Sequence, residues 1–65
     1  MRIKPELKQS LLENDGVEVV SHFDRNGRSD FYEGKKDNRL IIIQVDNDDS
    51  VKLLTWLEYK KAVYY

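Results

Sequence analysis

Between Arg39 and Asp46 the chain carries Leu40, Ile41, Ile42, Ile43 and Val45, a run of branched aliphatic side chains that an extended strand divides between both of its faces. Such a strand needs cover on both sides, or it leaves one side adhesive. The cover has to come from the same short chain. Its 65 residues form one domain, residues 1–65, and a domain of this size buries only about 60% of the surface its unfolded chain exposes. There is no cysteine to form a disulfide and His22 is the only imidazole, so the staples that hold many small domains together are not at hand. The hydrophobic core must do the stabilising.

Lys4 to Asn14 reads as an N-terminal helix. Leu7, Leu11 and Leu12 stand at helical spacing, Pro5 suits a first helical position, and Glu6 lies near the positive end of the helix dipole. Gly16 suits the left-handed residue that closes such a helix, in an arrangement that brings Val17 onto Leu12. From Val17 the pattern alternates, with Val17, Val19, Ser21 and Phe23 on one face and Glu18, Val20, His22 and Asp24 on the other.

Two connections fit Asp24-Arg25-Asn26-Gly27-Arg28. A two-residue Asn-Gly turn puts Phe31 across from His22, whereas a three-residue loop with a glycine bulge puts Asp24 across from Arg28 and Phe31 across from Ser21. Burying Phe23 and Phe31 on one face favours the second. It places Val20 opposite Tyr32, and His22 opposite Asp30, on the outer face. Gly34 to Asn38 then reads as a polar connection into the third strand, Arg39 to Asp46.

The last segment admits two readings. Asp48, Asp49 or Ser50 can cap a helix carrying Leu53, Leu54, Leu57 and Tyr64, and Val51 to Trp56 can also pair as a fourth strand. The acidic cluster at its start, and Lys60 and Lys61 at its end, favour the helix. The expected fold is α+β, a three-stranded antiparallel β-meander with an N-terminal and a C-terminal helix packed on one face. Its expected core is Leu7, Leu11, Leu12, Val17, Val19, Phe23, Phe31, Ile41, Ile43, Val45, Leu53, Leu54 and Leu57.

Candidate chemistry starts at His22, the one side chain whose ordinary pKa lies near neutrality, with Asp30 across the hairpin to orient it. A nucleophile is missing, because Ser21 and Ser29 alternate onto the opposite face. No enzymatic activity is expected. Asp46-Asn47-Asp48-Asp49 resembles the start of a calcium loop, but Val51 stands where that loop needs glycine and Leu57 where it needs a bidentate glutamate. The three glycines are too scattered for a phosphate loop or a dinucleotide fingerprint. No metal, cofactor or small-molecule substrate is expected.

Two kinds of binding surface remain. In the expected fold Val20, Tyr32, Leu40 and Ile42 form an apolar patch on the outer sheet face, of the kind that marks protein contacts. Trp56, Tyr64 and Tyr65 add aromatic side chains of the type enriched at interfaces. These seven residues are the candidate protein-binding set. The alternative set is basic: Arg25 and Arg28 at one end of the sheet, Lys35, Lys36 and Arg39 at the other, and Lys60 and Lys61 on the last helix. Nucleic-acid binding needs several cations on one continuous face. The net charge of −1 argues against a dedicated polybasic protein.

The order helix, three strands, helix is similar to that of the double-stranded-RNA-binding domain. Where that family has a loop with Gly, Pro and His, this chain has Arg25-Asn26-Gly27, and where it has a lysine-rich helix start, this chain has Asp48-Asp49-Ser50. No residue role is carried over.

Met1 leads straight into charged residues and no apolar stretch approaches the ~18 residues that span a bilayer, so a soluble, cytoplasmic protein without membrane attachment is expected. The function expected is that of a small non-enzymatic protein-binding module, acting stoichiometrically as adaptor, inhibitor or regulator of a larger partner or by self-association as a dimer. Its size is compatible with an accessory protein of a phage or mobile element.

Overall fold

The computed structural model describes residues 3–64, with side chains described through residue 62. Helix α1 spans Pro5–Asp15 and begins, as Pro5 indicates, without a side-chain cap from Lys4. Gly16 closes it in the left-handed region at φ +65°. The Val17 N–H then donates to the Leu11 carbonyl at 3.1 Å. That bond draws Val17 onto Leu11 rather than Leu12, so Leu11 is buried and Leu12 faces solvent.

Four strands follow: β1 (Glu18–Asn26), β2 (Ser29–Lys36), β3 (Arg39–Asp46) and β4 (Val51–Leu54). They form an antiparallel sheet in sequence order, and helix α2 (Trp56–Tyr64) follows the last strand. The expected three-stranded meander thus gains a fourth strand, and the segment read as helix from about Ser50 is strand up to Leu54. The acidic residues before it build a turn instead of a helix cap. Asp46 N–H donates to the Ser50 carbonyl at 2.9 Å, Asp49 adopts φ +65°, and the Asp48 carboxylate accepts from the Ser50 N–H at 3.0 Å.

Helix α2 is capped at Thr55, three residues before Glu58. The Thr55 hydroxyl accepts from the Glu58 N–H at 3.1 Å, and the Glu58 carboxylate accepts from the Thr55 N–H at 2.9 Å. This reciprocal capping box satisfies two orphan donors and fixes where the helix starts. Leu54 before the cap and Tyr59 within the first turns share one apolar cluster, the arrangement of a hydrophobic staple.

The two helices lie on opposite faces of the sheet, not on one. On the α1 face, Leu11 packs with Val17, Val19, Tyr32, Ile43 and Val45. On the α2 face, Tyr59 packs with Phe31, Ile42 and Leu54. Strand β3 explains the division: Ile41, Ile43 and Val45 point one way and Ile42 the other, and each set receives its own helix. Each fully buried isoleucine here is worth about 2–5 kcal/mol against truncation to alanine.

The first hairpin follows neither expected connection. Asn26 pairs with Ser29, leaving Gly27 (φ +64°) and Arg28 as a two-residue loop with the residue order of a type II′ turn. Register shifts at Val19/Ser21 and His22/Asp24 make Val20 and Phe23 the extra residues of two bulges in β1. Each bulge inverts the alternation. Val19 and His22 consequently share the α1 face with Tyr32, while Phe23 and Asp24, neighbours in sequence, both point toward α2. The second hairpin turns at Asp37 and Asn38, whose φ angles of +52° and +63° are those of a type I′ turn. Strand β2 therefore runs through Gly34 and Lys35 to Lys36, where a loop was expected.

Candidate functional site

Strand β1 and helix α2 meet in an aromatic cluster. The bulge at Phe23 lifts its ring out of the alternating pattern and sets it 5.2 Å from Tyr59 and 6.5 Å from Trp56, centroid to centroid. Tyr59 lies 5.0 Å from Phe31 beneath it and 5.3 Å from Trp56 beside it. Its hydroxyl donates to the Asp24 carboxylate, tying α2 to the bulged strand. Tyr59 is fully buried, but Phe23 remains 40% exposed, Trp56 48% and Leu57 63%. These three side chains form the wall of an open groove of about 760 Å³, whose rim is closed by Lys60 and Lys61. The Lys60 ammonium stands over the Trp56 ring at 5.6 Å from its centroid.

No family model, curated protein or solved structure matches this chain. The groove has therefore to be read from its own residues. Its apolar floor and cationic rim suit contact with another macromolecule.

The expected apolar patch does not form. Tyr32 is 3% exposed and Ile42 1%, and they lie on opposite faces of the sheet beneath different helices. Val20 (49% exposed) and Leu40 (52%) remain at the surface as separate residues. Val20 is not opposite Tyr32, because the bulges bring His22 there instead. Among the described members of the candidate protein-binding set, Trp56 alone joins the groove. The Tyr64 side chain and all of Tyr65 lie outside the described residues.

The cations of the alternative set stay divided. Arg25 and Arg28 belong to the β1–β2 hairpin, with Arg25 directly across from Asp30, while Lys36 and Arg39 flank the opposite hairpin and Lys35 pairs with Glu18. Only Lys60 and Lys61 come together with aromatic side chains.

His22 and Asp30 do meet, although not as directly facing residues: His22 lies across from Tyr32 and Asp30 across from Arg25. His22 Nε2–H donates to Asp30 Oδ1 at 3.0 Å, and the imidazole edge rests on the Tyr32 ring at 5.0 Å. Asp30 is buried beneath this pair. Burial, and secondarily the Asp30 charge, push the Tyr32 phenol above its ordinary pKa. The Ser29 hydroxyl donates to Asp46 on the other face of the sheet, and Gln44 donates to the same carboxylate at 2.9 Å. The Ser-His-Asp arrangement is thus not assembled around His22. The acidic turn is likewise occupied by its own structure: Asp48 holds Ser50, and Asp49 pairs with Lys4 at 2.7 Å. Among the described residues, no three His, Asp or Glu side chains gather around one metal position, and no helix is long and apolar enough to cross a membrane.

Phe23 and Leu57 were expected in the core, and the sequence holds a signal for the second. Thr55-Trp56-Leu57-Glu58 has the form of a capping box, which starts the helix at Trp56 and turns Leu57 outward. For Phe23 the alternating pattern holds no signal, because its bulge shows only once β2 is paired with β1.

Proposed function

We propose that this protein is a small non-enzymatic binding module, working in the cytoplasm, which engages a protein partner stoichiometrically through the groove between the Phe23 bulge and helix α2. The observation that carries this reading is the exposure of Phe23, Trp56 and Leu57 together. A domain this small gains stability from every apolar side chain it can bury, and here three large ones gather around buried Tyr59 without being covered themselves. Aromatic anchors beside aliphatic surface are the usual centre of a protein interface. The partner can be a larger protein that the module adapts, inhibits or regulates, or a second copy of the chain.

A photo-crosslinking residue in place of Leu57, with Lys52 on exposed β4 as the control position, tests this in the native host. Crosslinked protein is expected at Leu57 and not at Lys52, and Leu57→Asp should abolish the same association while leaving the fold intact. Equal yields at both positions would sink the proposal. Nuclease-sensitive adducts, with affinity falling steeply as salt rises, would transfer the groove to the second reading, nucleic-acid binding through Lys60 and Lys61 beside Trp56.

A further inference from the structure

Resting on the reading of the groove as a protein-binding site, we infer that its occupant is an acidic linear segment of a partner protein, with an apolar anchor side chain flanked by carboxylates. The floor is apolar and its construction is specific. A regular β1 would send Phe23 and Asp24 to opposite faces, yet the bulge sends both toward α2 at the expense of a ladder position. Asp24 uses that placement to hold Tyr59, and Phe23 uses it to extend the wall that Trp56 and Leu57 begin. The bulge thereby enlarges the apolar opening without closing it.

Charge decides between occupants. The one carboxylate lining the groove is internally committed, since Asp24 accepts from the Tyr59 hydroxyl with one oxygen and from the Arg25 N–H at 2.8 Å with the other. The two ammonium groups are held less firmly: Lys60 stands over the Trp56 ring and Lys61 acts on Glu58 only through its charge. Among the described residues neither Lys60 nor Lys61 lies within ion-pair distance of a carboxylate, the only pairs being Lys4–Asp49 and His22–Asp30. An apolar floor with two cations on its rim that form no ion pair among the described residues complements an apolar side chain between acidic residues. A nucleic-acid strand fits less well. Lys60 already stands over the Trp56 ring and Tyr59 is tilted against it at 32°, so a base has to displace one of them to stack. Two lysines also make a short track for a phosphate backbone.

Trp56 is the only tryptophan in the chain, so its fluorescence reports directly on the groove. Three probes are titrated at about 50 mM salt: a peptide of about twelve residues with Phe and Leu flanked by Glu, the same peptide with every Glu replaced by Lys, and a thymidine oligonucleotide of similar length. The acidic peptide should shift Trp56 emission and bind at least about tenfold more tightly than its lysine counterpart, and the double variant Lys60→Glu/Lys61→Glu should reverse that order. Leu57→Asp should lose the acidic peptide while its far-ultraviolet circular dichroism stays that of the parent. Equal affinity for both peptides, tighter binding of the oligonucleotide, or silence toward all three up to about 1 mM would overturn the inference. Partner crosslinking at Leu57 that survives Lys60→Glu/Lys61→Glu would reject the acidic segment while leaving the protein-binding reading in place.

Discussion

His22 and Asp30 form a tightly constrained polar contact, because Asp30 is buried and His22 covers it while lying against Tyr32. A buried carboxylate is costly unless hydrogen-bonded, and removing one partner leaves the other with its desolvation penalty. His22→Ala should therefore lower stability by about 1–3 kcal/mol. The same substitution made on an Asp30→Asn background should cost less, since the charge is already gone. Urea denaturation of the four proteins in the cycle measures the difference, and additivity within about 0.5 kcal/mol would show the two side chains to be uncoupled. The pairing of His22 with Asp30 was legible from the sequence. Their position was not, because bulges at Val20 and Phe23 leave no mark in a period-two pattern until the partner strand is known.

Strand β2 shows how one residue can set the shape of an element. Gly34 sits opposite Val19 at the first bulge, and a Cβ there would lie 2.7 Å from Ile43 Cδ1, 3.1 Å from the Glu18 carbonyl oxygen and 3.3 Å from Val17 Cγ1. Ile43 and Val17 are fully buried, so the intruding carbon finds packed side chains on one side and backbone on the other. Gly34→Ala should cost about 1–3 kcal/mol and lower the melting temperature, with Gly34→Val worse. A thermal melt in which Gly34→Ala equals or exceeds the parent would remove this account of the close approach. Read by itself, Gly34 before two lysines suggests a turn. The strand runs past it because Asp37 and Asn38 take the left-handed angles that a tight hairpin requires.

The molecule as a whole has a pH window that its hydrogen bonds define. Asp46 is held below the ordinary carboxylate pKa first by the Ser29 hydroxyl and then by Gln44, Asp48 by Ser50, and Glu58 by the Thr55 cap. Each carboxylate binds its proton less tightly folded than unfolded. Their contribution is present above the unfolded values of 3.8 for the aspartates and 4.5 for Glu58, and is lost as pH falls through the lower folded values. At the alkaline side the sign reverses. Lys4, raised by Asp49, and Tyr32, raised by burial, stabilise the fold below 10.5 and 10.0 and lose that contribution as pH rises through their higher folded values. Denaturation across pH should show a plateau between the two limbs. Asp46→Asn should flatten the acid limb, and an unchanged slope would exclude Asp46 from it.

From its residues alone the chain determines helix α1 and its closure at Gly16, three of its strands and the antiparallel α+β class, because these follow from local spacing, turn residues and the alternation of side chains along a strand. It also determines that β3 needs cover on both faces. How that cover is delivered is a tertiary matter. Val51 to Leu54 complete the sheet because they pair with Ile42 to Val45, and Tyr59 is buried because Phe31 and Ile42 point away from α1. With one helix assigned to each face, Tyr32 and Ile42 leave the surface, and Phe23, Trp56 and Leu57 stay exposed together beside α2. The candidate binding surface is thus set by which face each helix takes, a choice made by long-range packing and invisible to local pattern.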